Sequence, residues 1–303
     1  MISPEGSVMS TTAGRAEADA VVVGVDGSSA ALDAVRWAAA RARSLHRPLT
    51  LLHATIWPLM THPAPPTVPA HYQSVMVEAA RGWLDGAREN AEYVAPGLPI
   101  HEQLSTGDPR PVLLAESARA REIVVGSRGL GGFTGMLVGS VATALTQHAQ
   151  CPVVVVRAEG DPHGPVVVGV DGSPTGERAL GYAFDAASRM QAPLVALHTW
   201  SDVGVGELWG PPPDLLDWES IGQNEQCLLA ERLAGWGEKY PDVTVRQLVQ
   251  RDRPAHALAE AGRRARLLVV GARGRGGFTG MLLGSTSRFL VHHATCPLAV
   301  VRS

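Results

Sequence analysis

Short apolar runs alternate with longer amphipathic stretches along this chain. Val21–Val25 is continuous and β-branched, the mark of a strand buried on both faces. Ser28 or Ser29 can cap a helix running to about Ser44, with Leu32, Val35 and Ala39 on one face. Leu49–His53 reads as a second strand. Pro58–Pro69 resists regular structure, and a helix follows from about Gln73 to Val94. A third strand lies near Ile100–Leu104, then a helix from about Pro111 to Ala120. Ile123–Val125 is the fourth strand, a fourth helix opens from Gly139, and Val153–Val156 is the fifth strand. Strands and helices alternating in this way predict an α/β fold: a parallel sheet with right-handed crossovers and helices on both faces. Ligands of open α/β sheets sit outside the carboxyl ends of the strands. The candidate site therefore lies where the first and fourth strands end.

The whole pattern occurs twice. The run from Val21 to Ser28 returns unchanged from Val166 to Ser173, an offset of 166 − 21 = 145. The segment Gly126–Ser140 returns as Gly271–Ser285 at the same offset, with 12 of 15 positions identical. Cys151-Pro152 matches Cys296-Pro297 in turn. A period of this length is a duplicated domain rather than a solenoid. Ala158–Pro165 has linker composition. The division expected is a flexible N-terminus over 1–19, a domain over 20–158, a linker over 159–165 and a second domain over 166–303.

Composition narrows the function. The chain has 303 residues, 45% apolar and 18% charged, with a net charge of −3. That balance argues against a broad electrostatic footprint for nucleic acid or an anionic membrane. Lys239 is the single lysine among 26 basic residues, so cationic phosphate contacts fall to arginine. Met1–Asp19 has no apolar stretch of signal-peptide length, and no run reaches the roughly 20 apolar residues of a membrane span. Cys151, Cys227 and Cys296 form neither a CxxC nor a disulfide framework, which predicts a reducing cytoplasm and inert, buried thiols at Cys151 and Cys296.

The repeated glycine segment carries the candidate chemistry. Gly126, Gly129 and Gly139-Ser140 are spaced as Gly271, Gly274 and Gly284-Ser285. Glycine permits positive-φ turns and close backbone approach. A glycine-rich loop running into a helix N-terminus offers unpaired amides and a positive dipole end, which suits phosphate. The plainer alternative is a flexible connection with Ser140 and Ser285 capping the helix. The pattern is not a P-loop, since GxxxxGK[ST] is absent. Nor is it the dinucleotide fingerprint, whose glycines follow the first strand.

On these residues the sequence resembles a tandem universal stress protein. Both halves match the family's ATP-binding pattern Gly-2x-Gly-9x-Gly-(Ser/Thr), and the first strand and the Cys-Pro endings fit as well. The resemblance runs from Val21 to Arg302. It implies a five-stranded parallel sheet of order 3-2-1-4-5 in each half, and domains paired through the last strand about a pseudo-twofold axis. A homodimer of the tandem chain is the weaker expectation. It further implies one ATP per half, with Mg2+, bound between the first strand and the glycine loop. Asp26 and Asp171 stand where the family's aspartate meets the base or ribose, although Asp-Gly-Ser also reads as a turn and helix cap. Gly24 and Gly169 lie where a side chain would meet a ligand crossing the sheet edge. The ribose and phosphates fall to Gly126, Ser127, Arg128, Gly129, Leu130, Gly131, Gly132, Gly139 and Ser140 in the first half. Their counterparts are Gly271, Ala272, Arg273, Gly274, Arg275, Gly276, Gly277, Gly284 and Ser285.

Other residues near these loops stay open. Asp202 is either an extra ligand contact or a surface acid. Trp57, Trp200, Trp209 and Trp218 either cover a site or pack loops. His53 and His198 end the second strands and read as satisfied strand-end residues. The favoured function is a nucleotide-dependent regulatory protein of stress physiology that binds ATP and turns over little of it, acting through a protein partner. A slow ATPase or nucleotidyl transferase of the same fold is the second reading, and an assembly module without nucleotide the third. No paired carboxylate, Ser-His-Asp order or lysine recurs in both halves to support the enzyme.

Overall fold

The structure is a computed structural model that describes residues 16–55, 72–129, 138–200, 217–275 and 282–302. The first half runs β1 (Val21–Gly24), α1 (Ser29–Leu45), β2 (Leu49–Thr55), α2 (Tyr72–Val94), β3 (Ile100–Thr106), α3 (Pro109–Glu116), β4 (Glu122–Gly126), α4 (Ser140–His148) and β5 (Val153–Val156). The second half runs β6 (Val166–Gly169), α5 (Pro174–Met190), β7 (Leu194–Trp200), α6 (Trp218–Leu233), α7 (Trp236–Lys239), β8 (Val245–Arg251), α8 (Pro254–Gly262), β9 (Leu267–Gly271), α9 (Ser285–His293) and β10 (Leu298–Val301). The Pro-rich stretch 58–69, with Trp57 and Trp209, lies outside the described residues.

Local chemistry sets the helix ends. The Ser28 hydroxyl accepts from the Ala31 amide and starts α1; Ser173 does the same for α5 through Gly176. Helix α3 begins earlier than the apolar periodicity predicts, because Asp108 caps it and Pro109 fits its first turn. In the second half Gly235, at φ +80°, breaks the helix after β7 into α6 and the short α7.

Strand order within each half is 3-2-1-4-5, as expected. The two sheets also pair through their last strands, as the resemblance implies. They merge into one ten-stranded sheet of order β3-β2-β1-β4-β5-β10-β9-β6-β7-β8. All neighbours are parallel except β5 and β10, which meet antiparallel with Val154 opposite Ala299. Both strands are wholly apolar and buried, so pairing them removes an exposed edge from each half. Successive strand residues serve opposite faces: Val21 and Val23 pack with α1 and α2, and Val22 packs with Leu113 of α3 and Leu145 of α4.

Polar groups cross the seam between the halves. Arg41 of α1 is buried against Glu122 of β4 and Asp185 of α5, each at 3.2 Å. Tyr182 of α5 donates its hydroxyl to the other Glu122 oxygen at 2.8 Å. Burial opposes the charge on Arg41, yet Tyr182, Glu122 and Asp185 together hold its pKa above the ordinary arginine range. Burial and then Glu122 push the Tyr182 hydroxyl well above its usual value. At the end of β5, Arg157 donates to the Val291 carbonyl of α9; Arg302, after β10, donates to the Thr146 carbonyl of α4. Each half thus ties down the helix C-terminus of the other.

The cysteines behave as their positions predict. Cys151 and Cys296 are buried, and burial pushes both thiols up to about 12. Cys227 is exposed on α6. With a thiol-specific chromogen at pH 8, the native protein is expected to show one fast thiol, Cys227, and two more only after denaturation. Three fast thiols in the native state would contradict the packing of the two Cys-Pro turns.

Candidate functional site

Three elements converge at the carboxyl end of each half-sheet. The first is the turn after β1. Asp26 Oδ1 accepts from the Ser28 amide at 3.0 Å and from the Ser28 hydroxyl at 2.6 Å. Asp171 holds Ser173 in the same way at 2.9 and 2.7 Å. The turn-and-cap reading of Asp-Gly-Ser is therefore realised, and it occupies only one carboxylate oxygen. The other oxygen faces the glycine loop: Asp171 Oδ2 accepts from the Arg275 amide at 3.2 Å. A Cβ built on Gly129 would lie 2.2 Å from Asp26 Oδ2, and one on Gly274 would lie 2.6 Å from Asp171 Oδ2.

The second element is the loop after β4 and β9. Its two ends are pinned together, since the Gly139 amide donates to the Ser127 carbonyl and the Gly284 amide to the Ala272 carbonyl, both at 2.8 Å. Ser127 and Ala272 are buried and pack inward, so they give the site backbone rather than side chains. Arg128 and Arg273 are exposed. Leu130, Gly131, Gly132, Gly276 and Gly277, with Asp202 of the loop after β7, lie outside the described residues.

The third element is the N-terminus of α4 and α9. Gly139 and Gly284 occupy the N-cap positions, and neither helix has a side-chain cap. The plainer alternative, in which Ser140 and Ser285 cap these helices, is not realised: each is the exposed first helical residue, one position too late to cap. The amides of the first turn point out past a residue without a side chain, which is the arrangement that receives anions. Burial, and secondarily Arg128, disfavours the charged form of Arg157; Arg273 does the same to Arg302. Two guanidinium groups therefore stand near each loop.

The glycines divide by what surrounds them. Gly126 and Gly271 serve the fold, because an added Cβ would meet the Ala30 carbonyl at 2.7 Å or Thr175 backbone at 2.9 Å. Gly24 packs under Leu113 and Val125, and Gly169 under Leu258, so protein alone accounts for the space they lack. At Gly139 and Gly284 a Cβ would come no closer than 3.7 and 3.5 Å, ordinary contact. Packing among the described residues does not require glycine at those two positions. Gly129 and Gly274 do not have positive φ; at the site the left-handed glycines are Gly27 (φ +85°) and Gly172 (φ +69°), inside the Asp-Gly-Ser turns. Those two were legible from the motif itself, since a tight Asx turn before a helix needs such a residue.

In the second half these elements enclose a cleft of about 480 Å³. Asp171, Arg273, Gly274, Gly284 and Ser285 line it, together with Leu258 and His198. Thr286 and Ser287 of the first α9 turn also line it and were not anticipated. His198 and His53 are strand-end residues with satisfied rings, as expected: each Nδ1 bonds the carbonyl ending the neighbouring first strand, Val170 or Val25, at 2.7 Å. Beyond that the halves differ. His198 Nε2 meets Glu225 of α6 at 2.6 Å, while His53 lies beside the Trp83 ring at 5.2 Å. Trp200 and Trp218 stack at 5.9 Å, with the Arg251 guanidinium 3.7 Å from the Trp218 ring. Here at least the tryptophans pack loop ends.

The duplicated glycine loop and shared strand order have a clear counterpart among known proteins. The profile of the universal stress protein family matches residues 17–157 and again 163–302. The chain belongs to the universal stress protein family. A universal stress protein of Mycolicibacterium smegmatis is 42% identical over 294 residues, covering 93% of this chain and 96% of the relative. One from Mycobacterium tuberculosis strain H37Rv is 42% identical over 293 residues, with the same coverage. Both alignments therefore run across both halves of this chain. Among solved structures, a universal stress protein from Archaeoglobus fulgidus aligns over 94% of this chain and 96% of its own, with a TM-score of 0.66 at 20% identity, a likeness of fold. Among the described residues, no helix is long and apolar enough to cross a membrane.

Proposed function

We propose that each half of this universal stress protein, taken as domains 20–158 and 166–303, binds one ATP at the carboxyl end of its sheet. The observation that carries this reading is the uncapped N-terminus of α4 and α9 behind a glycine that packing among the described residues does not demand. The fit is chemical. The first-turn amides with Ser140 or Ser285 receive phosphate oxygens, Arg128 or Arg273 adds charge, and Asp26 or Asp171 accepts from the ribose or base. A cleft of about 480 Å³ falls in the usual range for small-molecule sites. Mg2+ would ride on the phosphates and the serine hydroxyl.

Binding rather than turnover is the activity proposed. Hydrolysis needs a group that orients water in line with the transferring phosphate. Asp26 and Asp171 are bound into the β1 and β6 turns, at the nucleoside end on this reading. ATP then acts by occupancy, changing the surface shown to a regulatory partner inside the cell. The slow-ATPase alternative rests on no separate observation. Titration calorimetry with Mg-ATP is expected to give two sites per chain, with single-turnover hydrolysis far slower than the roughly 1 per second of ordinary enzymes. A stoichiometry near one would mark one half as degenerate, and none at all would refute the reading.

A further inference from the structure

The two halves differ sharply around the turn that follows their first strands. In the first half the indole of Trp83, from α2, closes on Gly27: a Cβ built there would lie 2.6 Å from Trp83 Nε1. In the second half two guanidinium groups take that place. A Cβ built on Gly172 would lie 2.5 Å from Arg275 Nη2 and 3.0 Å from Arg232 Nε. The 145-residue offset makes the exchange explicit. Trp83 corresponds to Leu228, which is exposed. Arg232 of α6 and Arg275 of the glycine loop stand where the first half has Ala87 and Leu130. One backbone thus carries an aromatic cover in one copy and two positive charges in the other.

Little in the protein itself accounts for that charge. Arg232 reaches Glu177 only across 3.5 Å, with both side chains more than one-third exposed, a pair that contributes little. Arg275 offers Asp171 its backbone amide rather than its side chain. Among the described residues its guanidinium has no carboxylate within ion-pair reach. Two like charges brought to one turn repel each other, and an anion beside them is attracted by both. Arg275 is exposed and lines the cleft. Arg232 is outside that lining and reaches the cleft through its charge alone.

Gly172 adjoins Asp171, which the nucleotide reading sets at the ribose or base, while the first turn of α9 takes the 5′ phosphates. An anion received by Arg275 is then a second one, carried on the ribose. Dinucleotide-binding folds make the same choice: an acidic residue selects the free 2′-hydroxyl, and a nearby arginine accommodates a 2′-phosphate. We propose that the second half selects nucleotides bearing a phosphate on the ribose, at the 2′ or 3′ oxygen, in addition to the 5′ phosphate. Arg275 receives that phosphate, Arg232 adds charge, and Asp171 keeps the hydroxyl that stays free. In the first half the same group meets Trp83 and the Asp26 carboxylate without either arginine, so it is disfavoured there. The inference rests on the nucleotide reading and adds a specificity that ATP binding does not require.

The test uses the full chain with adenosine 2′,5′-bisphosphate and adenosine 3′,5′-bisphosphate as probes. ADP is the control, because it also has two phosphates but an unsubstituted ribose. At least one bisphosphate is expected to bind at one site per chain, about tenfold or more tighter than ADP binds there. At saturation it should lower the ATP stoichiometry from two to one. Arg275→Leu, the residue of the first half, is expected to bring the ratio of bisphosphate to ADP affinity to within about twofold of unity. Arg232→Ala should lower that ratio by about threefold through charge alone. Both side chains are exposed, so both variants are expected to fold, and thermal unfolding checks this. No preference for either bisphosphate over ADP would overturn the proposal. So would equal binding in both halves, or a ratio unmoved by Arg275→Leu. Two ATP sites without a bisphosphate preference would sink this inference and leave the nucleotide reading standing. Bisphosphate bound at one site with no ATP bound at either would do the reverse.

Discussion

Gly139→Asp together with Gly284→Asp is expected to yield a chain at least as stable as the parent that no longer takes up ATP. Both positions are N-caps with extended backbone, φ −74° and −67°, which aspartate adopts readily. An aspartate there accepts from first-turn amides and complements the helix dipole, adding a few tenths of a kcal/mol to about 1 kcal/mol per helix. The same carboxylate fills the space and the amides assigned to phosphate, and it repels the anion. Losing charge-assisted hydrogen bonds costs about 1.5–3 kcal/mol before repulsion is counted. Affinity should therefore fall by about 100-fold or more at each site. Calorimetry gives the affinity and thermal unfolding the stability. Gly126→Ala supplies the contrast: its Cβ would press on the Ala30 carbonyl, so stability should fall by about 1–3 kcal/mol. ATP binding retained by the double aspartate variant would remove the helix N-termini from the site.

Glu122→Ala is expected to be among the most damaging single substitutions in the chain. It strands the Arg41 guanidinium in the seam with Asp185 alone and removes the acceptor of the Tyr182 hydroxyl. Breaking one partner out of a buried ion pair costs about 3–5 kcal/mol. For a chain of this size, that lowers Tm on the order of 10 °C. Replacing the whole cluster should behave differently. Arg41→Ala, Glu122→Leu, Tyr182→Trp and Asp185→Ala together install the residues at the equivalent positions of the opposite half, namely Ala186, Leu267, Trp37 and Ala40. With no buried charge left, that variant is expected to exceed the stability of Glu122→Ala by several kcal/mol. Urea and thermal unfolding of the two variants compare them. A loss below about 1 kcal/mol for Glu122→Ala would mean that water reaches the cluster.

Much of this protein was readable before any coordinates. The 145-residue repeat, the buried β-branched strands and the helix caps at Ser28 and Ser173 are local or periodic signals, and periodicity of 2 or 3.6 is set by backbone geometry. The strand order came through resemblance, not through periodicity, which says nothing of which strand lies beside which. The glycine pattern located the loops and the two helix N-termini.

Only tertiary structure decided what each of those glycines is for. Gly126 is crowded by Ala30, Gly129 by Asp26, and Gly139 by nothing among the described residues, yet all three look alike in sequence. It also decided how the last strands, expected to pair, meet: antiparallel, with Val154 opposite Ala299, since register depends on how two apolar edges pack. The buried cluster of Arg41, Glu122, Tyr182 and Asp185 was invisible for the same reason. It joins residues far apart along the chain, and a polar side chain reveals its burial and its partners only when the elements around it are packed.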